Sequence, residues 1–171
     1  MKESARPSFI TCSRLPGAMC LMLLMFGCQS LTFDPRGHIV PESSRIAFPR
    51  DGEASGTWTN DDLILAYRFV RNQSQLWIAG SIQFADRITK VYLGIQYFHL
   101  DALLVDAQGK VLDQVGLTSS ASINTVYDNS LVFNSILTLP PNTEAIAFSY
   151  RGKTFGTKDG GTMDFWEYPV H

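Results

Sequence analysis

The chain has 171 residues, 14 basic and 16 acidic side chains, a net charge of −2 with histidine neutral, and a mean hydropathy of +0.01. Charged residues are 18% and aromatic residues 12%, which disfavours a basic, phosphate-neutralising surface and with it a nucleic-acid partner. The same balance favours a filled β core over helices laced with ion pairs, and the length suits one sizeable domain.

The first element is a leader. Lys2, Arg6 and Arg14 precede an apolar run, Leu15 to Cys28, that reads LPGAMCLMLLMFGC. Leu15 to Gly27 is far shorter than the roughly 20 apolar residues that a membrane-crossing helix needs, and Pro16 and Gly17 weaken it further. A basic stretch followed by a short apolar one is the pattern of a secretory signal; a buried core helix and a signal cleaved elsewhere are the rival readings. All three cysteines, Cys12, Cys20 and Cys28, fall at or before the end of this run, and none occurs from Gln29 to His171. An exported body without cysteine is held by its core alone, because a disulfide framework needs cysteine pairs within it.

Met25-Phe26-Gly27-Cys28 resembles a bacterial lipobox, with Gly27 as the small residue ahead of the cysteine. The resemblance implies a lipoprotein signal peptide over 1–27, with Cys28 acylated, palmitate included, as the mature N-terminus. It also implies attachment to a membrane through that lipid. Gln29 behind the cysteine implies sorting to the outer membrane of the cell envelope, on its periplasmic side or at the cell surface. Loss of the leader takes the net charge from −2 to −4.

Residues 28–54 carry three prolines and no sustained period, and read as the lipid anchor followed by a flexible tether. The folded body is expected over 55–171. Leu63 to Val70 alternates with Leu63, Leu65, Tyr67 and Phe69 on one face, and Leu76 to Phe84 alternates with Leu76, Ile78, Gly80, Ile82 and Phe84 facing the core. Arg71-Asn72-Gln73-Ser74 joins them as an antiparallel hairpin. Ala85 to Lys90 suits a helical turn. Val91 to Asp106 is too long for one regular strand and predicts a bulge or break near Gly94 to Tyr97. Gly109 supplies the positive φ of a hairpin turn leading to Val111–Leu117, with Val111, Val115 and Leu117 on one side. Thr118 to Ser130 reads as a long crossing loop between sheets. Leu131–Leu139 and Ala145–Tyr150 are the closing strands, joined through Pro140 and Pro141, and a glycine loop leads to a terminal strand holding Phe165, Trp166 and Tyr168.

The chemistry-bearing residues are sparse. His38 and His99 have no second ligand at metal spacing, no GxSxG or Walker sequence occurs, and Asp51, Asp61, Asp62 and Asp164 read as turn formers. The expectation is therefore no catalytic residue, no metal and no cofactor. Trp58, Trp77, Phe165, Trp166 and Tyr168 form the candidate binding surface, since flat amphipathic rings stack on sugars or anchor interfaces; the competing reading places them in the core.

The fold class these patterns predict is all-β, a two-layer antiparallel β-sandwich, with a closed barrel as the alternative. Its plan resembles immunoglobulin and fibronectin type III domains, on the link Leu139-Pro140-Pro141-Asn142-Thr143-Glu144-Ala145 before the sixth strand of such domains. The expected function is a lipid-anchored, non-enzymatic envelope protein that presents the sandwich to an envelope protein partner. The alternatives are a glycan-binding module using the aromatics and an envelope hydrolase with a carboxylate site.

Overall fold

Period-two alternation is realised as nine strands, among the described residues, in two antiparallel sheets packed face to face. The computed structural model describes residues 33–49, 52–124, 130–157 and 160–171, and Asp34–His171 forms one unit. The apolar run expected to be a leader, with Cys28, lies outside the described residues.

In chain order the strands are β1 (Ile46–Ala47), β2 (Glu53–Thr59), β3 (Leu63–Asn72), β4 (Gln75–Phe84), β5 (Gly94–Val105), β6 (Val111–Asn124), β7 (Ser130–Thr138), β8 (Ala145–Phe155) and β9 (Asp164–Glu167), with a helical turn α1 (Asp86–Thr89) between β4 and β5. One sheet runs β2-β3-β4-β7. The other runs β1-β8-β5-β6, and β9 also pairs with β8. The chain crosses from one sheet to the other between β4 and β5 and again between β7 and β8, with β4 paired to β7 and β5 to β8. With β3-β4-β7 and its edge partner β2 in one sheet and β6-β5-β8 in the other, this is an open two-layer sandwich rather than a closed barrel. In the turn before β8, Thr143, fully buried, donates from Oγ1 to the Pro140 carbonyl at 2.6 Å.

The core faces of β3 and β4 are those that the alternation predicts: Leu63, Leu65, Phe69, Leu76, Ile78 and Ile82 are fully buried. Opposite them lie Phe98, Leu100, Leu104, Ile146, Phe148 and Tyr150. Gly80 is required where it stands, since a Cβ there would meet the Ala66 carbonyl at 2.3 Å and the Phe133 ring at 2.7 Å. The expected break near Gly94 to Tyr97 appears as the start of β5 at Gly94 and a register shift between Ile95 and Tyr97. Gly109 has φ 86°.

Three expectations differ from the structure. Residues 34–49, read as tether, are docked on the sandwich. Gly37 and Val40 donate to Val111 and Gly109 carbonyls at 2.9 and 2.8 Å, and His171 donates to Ile39 at 3.0 Å. The reason lies in β5 and β8, whose runs Leu103-Leu104-Val105 and Ala145-Ile146-Ala147-Phe148 are apolar at both parities. A strand buried on both faces needs a second cover, and Val40 and Val170 supply it over Leu103, Val105, Ala145 and Ala147. Secondly, β6 continues to Asn124, so most of the expected crossing loop is strand; residues 125–129 lie outside the described set. Thirdly, Val111 joins that outer cluster while Val115 and Leu117 pack inward, because the β5–β6 register shifts between Leu104 and Val105.

Candidate functional site

The one buried carboxylate among the described residues, Asp62, grows from the short β2–β3 turn, Asn60-Asp61-Asp62. The Asn60 carbonyl oxygen Oδ1 accepts from the backbone amides of Asp62 and Leu63, both at 3.0 Å. That turn chemistry, common for asparagine, directs the Asp62 carboxylate inward, where the residue is 5% exposed. Tyr150, from β8 in the other sheet, donates its hydroxyl to Asp62 Oδ2 at 2.6 Å and accepts from Asn60 Nδ2 at 2.8 Å. Arg87 on α1 closes the charge balance, donating from Nε to Asp62 Oδ1 at 2.7 Å, with its Nη2 on the same oxygen. Burial first, and the Asp62 bond second, push the Tyr150 phenol far above its ordinary value; the bond to Asp62 raises Arg87.

Trp58, Phe98 and Phe165 close over the Tyr150 ring at centroid distances of 6.0, 6.0 and 6.1 Å. The carboxylate oxygens, the phenol and the Asn60 amide therefore bond to one another. What the arrangement does is pin one end of the β2–β3 hairpin to the opposite sheet.

The second feature is the outer face of the four-stranded sheet. Register places Glu53, Val70, Trp77 and Ile136 in one row across β2, β3, β4 and β7, then Ser55, Arg68, Ala79 and Asn134, then Thr57, Ala66, Ser81 and Val132. The Arg68 guanidinium lies over the Trp77 ring, 5.5 Å from its centroid, and pairs with Glu53, its Nη2 donating to Oε2 at 3.0 Å. Trp77 is thereby half covered. Val132 and Ile136 are not: they are 79% and 70% exposed.

The five candidate binding residues do not converge. Trp77 is on this outer face as its alternation implies. Trp58 points inward against Phe148 and Tyr150. Phe165 is core, 2% exposed and stacked on Phe98. Trp166, 63% exposed, lies in the other sheet opposite Arg151, and Tyr168 is half-buried in the tail. Among the acidic residues only Asp62 is drawn into a cluster; Asp61 and Asp164 stay exposed and Asp51 lies outside the described residues. Among the described residues no three histidine or carboxylate side chains gather to hold a metal. His99 is half-buried, with its ring 5.8 Å from that of Tyr97.

An open cleft of about 510 Å³ between the docked segment and the strand ends is lined by Glu42, Arg45, Asp106 and Glu144 among others. Two of its polar groups are structural. Arg45 donates to the Val40 and Gln108 carbonyls, both at 2.9 Å, and Asp106 Oδ1 accepts from the turn amides of Gln108 and Lys110.

Sequence reasoning missed Asn60, Asp62, Arg87 and Tyr150 as a group, and missed Val132 and Ile136 as exposed. For the first, the only local signal is the Asn-Asp-Asp turn. For the second it is a strand, SLVFNSILT, that carries apolar residues at both parities. No protein-family model matches the chain, and comparison with curated proteins and with solved structures finds no match.

Proposed function

We propose that this chain is a lipid-anchored protein of the bacterial cell envelope that presents its sandwich for protein contact or assembly and performs no catalysis. The observation that carries the reading is the placement of cysteine. Cys28 follows Gly27 at the end of a basic-then-apolar leader, and the 143 residues behind it contain none. A lone exported thiol is reactive, and acylation removes it; the more than one acyl chain of a lipoprotein cysteine is what stable anchoring takes.

Two structural features agree with a role in contact rather than chemistry. The buried Asp62–Tyr150 cluster uses its donors and acceptors internally. The four-stranded sheet leaves Val132 and Ile136 in solvent on a face whose Trp77 is steadied by Arg68.

Mass spectrometry of the chain expressed in a bacterium with two membranes tests the anchor. The expected product begins at Cys28, carries diacylglycerol and fractionates with outer membrane; Cys28→Ser yields unacylated protein. A wild-type product with residues 1–28 intact and unmodified overturns the proposal.

A further inference from the structure

Strand β7 is an edge: β4 pairs with one side of it, and no strand pairs with the other among the described residues. Natural edges are guarded by charges, proline, bulges or a covering segment. The opposite edge, β2, begins with Glu53 in an ion pair with Arg68. β7 runs nine residues, Ser-Leu-Val-Phe-Asn-Ser-Ile-Leu-Thr, without a charge or a proline, and its nine pairings with β4 follow in step.

Which backbone groups β7 presents follows from the hairpin before it. The turn Gln73-Ser74 closes on the pair Asn72 and Gln75, and the closing pair of a two-residue hairpin exchanges its hydrogen bonds. Alternation then turns the backbone of Leu76, Ile78, Gly80 and Ile82 toward β7, where they meet Leu137, Ser135, Phe133 and Leu131. The Leu139 amide donating to the Ser74 carbonyl at 2.7 Å continues the same ladder. Val132, Asn134 and Ile136 consequently aim their N–H and C=O groups away from β4. These residues also carry the side chains of the outer face, so the edge is exposed in backbone and side chain together.

The strand is nearly a palindrome about Asn134. Val132 answers Ile136, Leu131 answers Leu137 and Ser130 answers Thr138; only Phe133 and Ser135 differ in kind. We propose that the occupant of this edge is a second copy of the same chain, laid antiparallel along β7 about a two-fold axis at Asn134, fusing two four-stranded sheets into one of eight. In that register Val132 faces Ile136 of the second copy, twice, and Asn134 faces its own equivalent. Residues 132, 134 and 136 then exchange about six backbone hydrogen bonds. The apolar row Val70, Trp77, Ile136 continues into Val132 of the second copy, and the same patch serves both chains, as a two-fold interface demands. A strand without charge meets its copy without repulsion. The proposal goes beyond the anchoring reading and does not rest on Cys28, so either can fail alone.

The test uses the full-length chain, reduced and in mild detergent, with its protein mass followed by light scattering over a range of concentration. Wild type is expected as a dimer. V132K/I136K sets two pairs of ammonium groups against each other across the axis and is expected to weaken association about tenfold or more. V132E/I136K sets a carboxylate against an ammonium in both pairs and is expected to hold the dimer within a few-fold of wild type. Both positions are solvent-facing, and circular dichroism with a thermal melt confirms that the variants fold. A wild type that stays monomeric throughout overturns the proposal and leaves the edge to an unlike strand. A dimer untouched by V132K/I136K, or equal loss in both folded variants, overturns it as well.

Discussion

Replacing Tyr150 by phenylalanine removes one oxygen from the centre of the sandwich and leaves the ring to pack as before. The lost hydroxyl donates to Asp62 Oδ2 at 2.6 Å and accepts from Asn60 Nδ2 at 2.8 Å. A hydrogen bond to a charged acceptor contributes about 1.5–3 kcal/mol, and the half-buried Asn60 donor left without its acceptor adds up to about 1 kcal/mol. Arg87 still holds Asp62 Oδ1, but its side chain is half exposed while that of Asp62 is 7% exposed. Its attraction therefore offsets only part of the loss. Tyr150→Phe is expected to cost about 2–3 kcal/mol at pH 7 in urea unfolding, and to lower Tm by about 5–10 °C. The phenol adds a second signature. Its pKa is raised in the folded protein, while the unfolded chain titrates near 10. Up to about pH 10 the contribution is complete; above it the unfolded state releases the proton that the folded state keeps. Stability then falls by about 1.4 kcal/mol per pH unit from this residue. The difference between wild type and Tyr150→Phe should narrow accordingly above pH 10. A cost under 0.5 kcal/mol at pH 7, or a constant difference up to pH 11, would refute the reasoning.

Gly80→Ala drives a methyl group into the Ala66 carbonyl and the Phe133 ring; overpacking of this kind costs about 1–3 kcal/mol in chemical unfolding. Ser149→Ala removes a fully buried hydroxyl that has no hydrogen-bond partner and is expected to raise stability by up to about 1 kcal/mol; a loss of that size would show that the hydroxyl is satisfied. Trp77→Ala, on a half-covered outer-face site under Arg68, is expected to cost about 1 kcal/mol or less, read as a small fall in Tm.

The strands that proved easiest to read were those with one wet face. Along Leu63–Val70 and Leu76–Phe84 the pattern alternates, the hairpin between them is short, and register follows from side-chain parity alone. Reading failed where a strand is dry on both faces. Ala145–Tyr150 looks like any short apolar run, and nothing local tells that residues 37–40 and 168–171 will lie over it. The prolines and glycines that suggest a tether are instead those of a segment laid across a sheet. The polar cluster was illegible for a related reason: Asp62 and Tyr150 are 88 positions apart, and only the sandwich brings them together.

The two sheets solve the same physical problem differently. In the sheet centred on β8 and β5, part of the outer face is covered from within by Val40 and Val170, and the free side of β8 is shared by β1 at one end and β9 at the other. Every residue from Ala145 to Tyr150 is buried as a result. The four-stranded sheet receives no such cover from the described residues. Its outer face keeps Val132 and Ile136 in water, and its β7 edge carries no charge to repel a strand. Intramolecular covering costs chain length and ordering entropy, and the described residues spend both on one sheet only. Apolar, uncharged residues exposed along an open ladder are where an added strand gains most, in backbone bonds and in buried area together. On β7 the two gains coincide: Val132 and Ile136 lie in solvent, and beside them the backbone of residues 132, 134 and 136 faces away from β4 with no strand paired to it among the described residues.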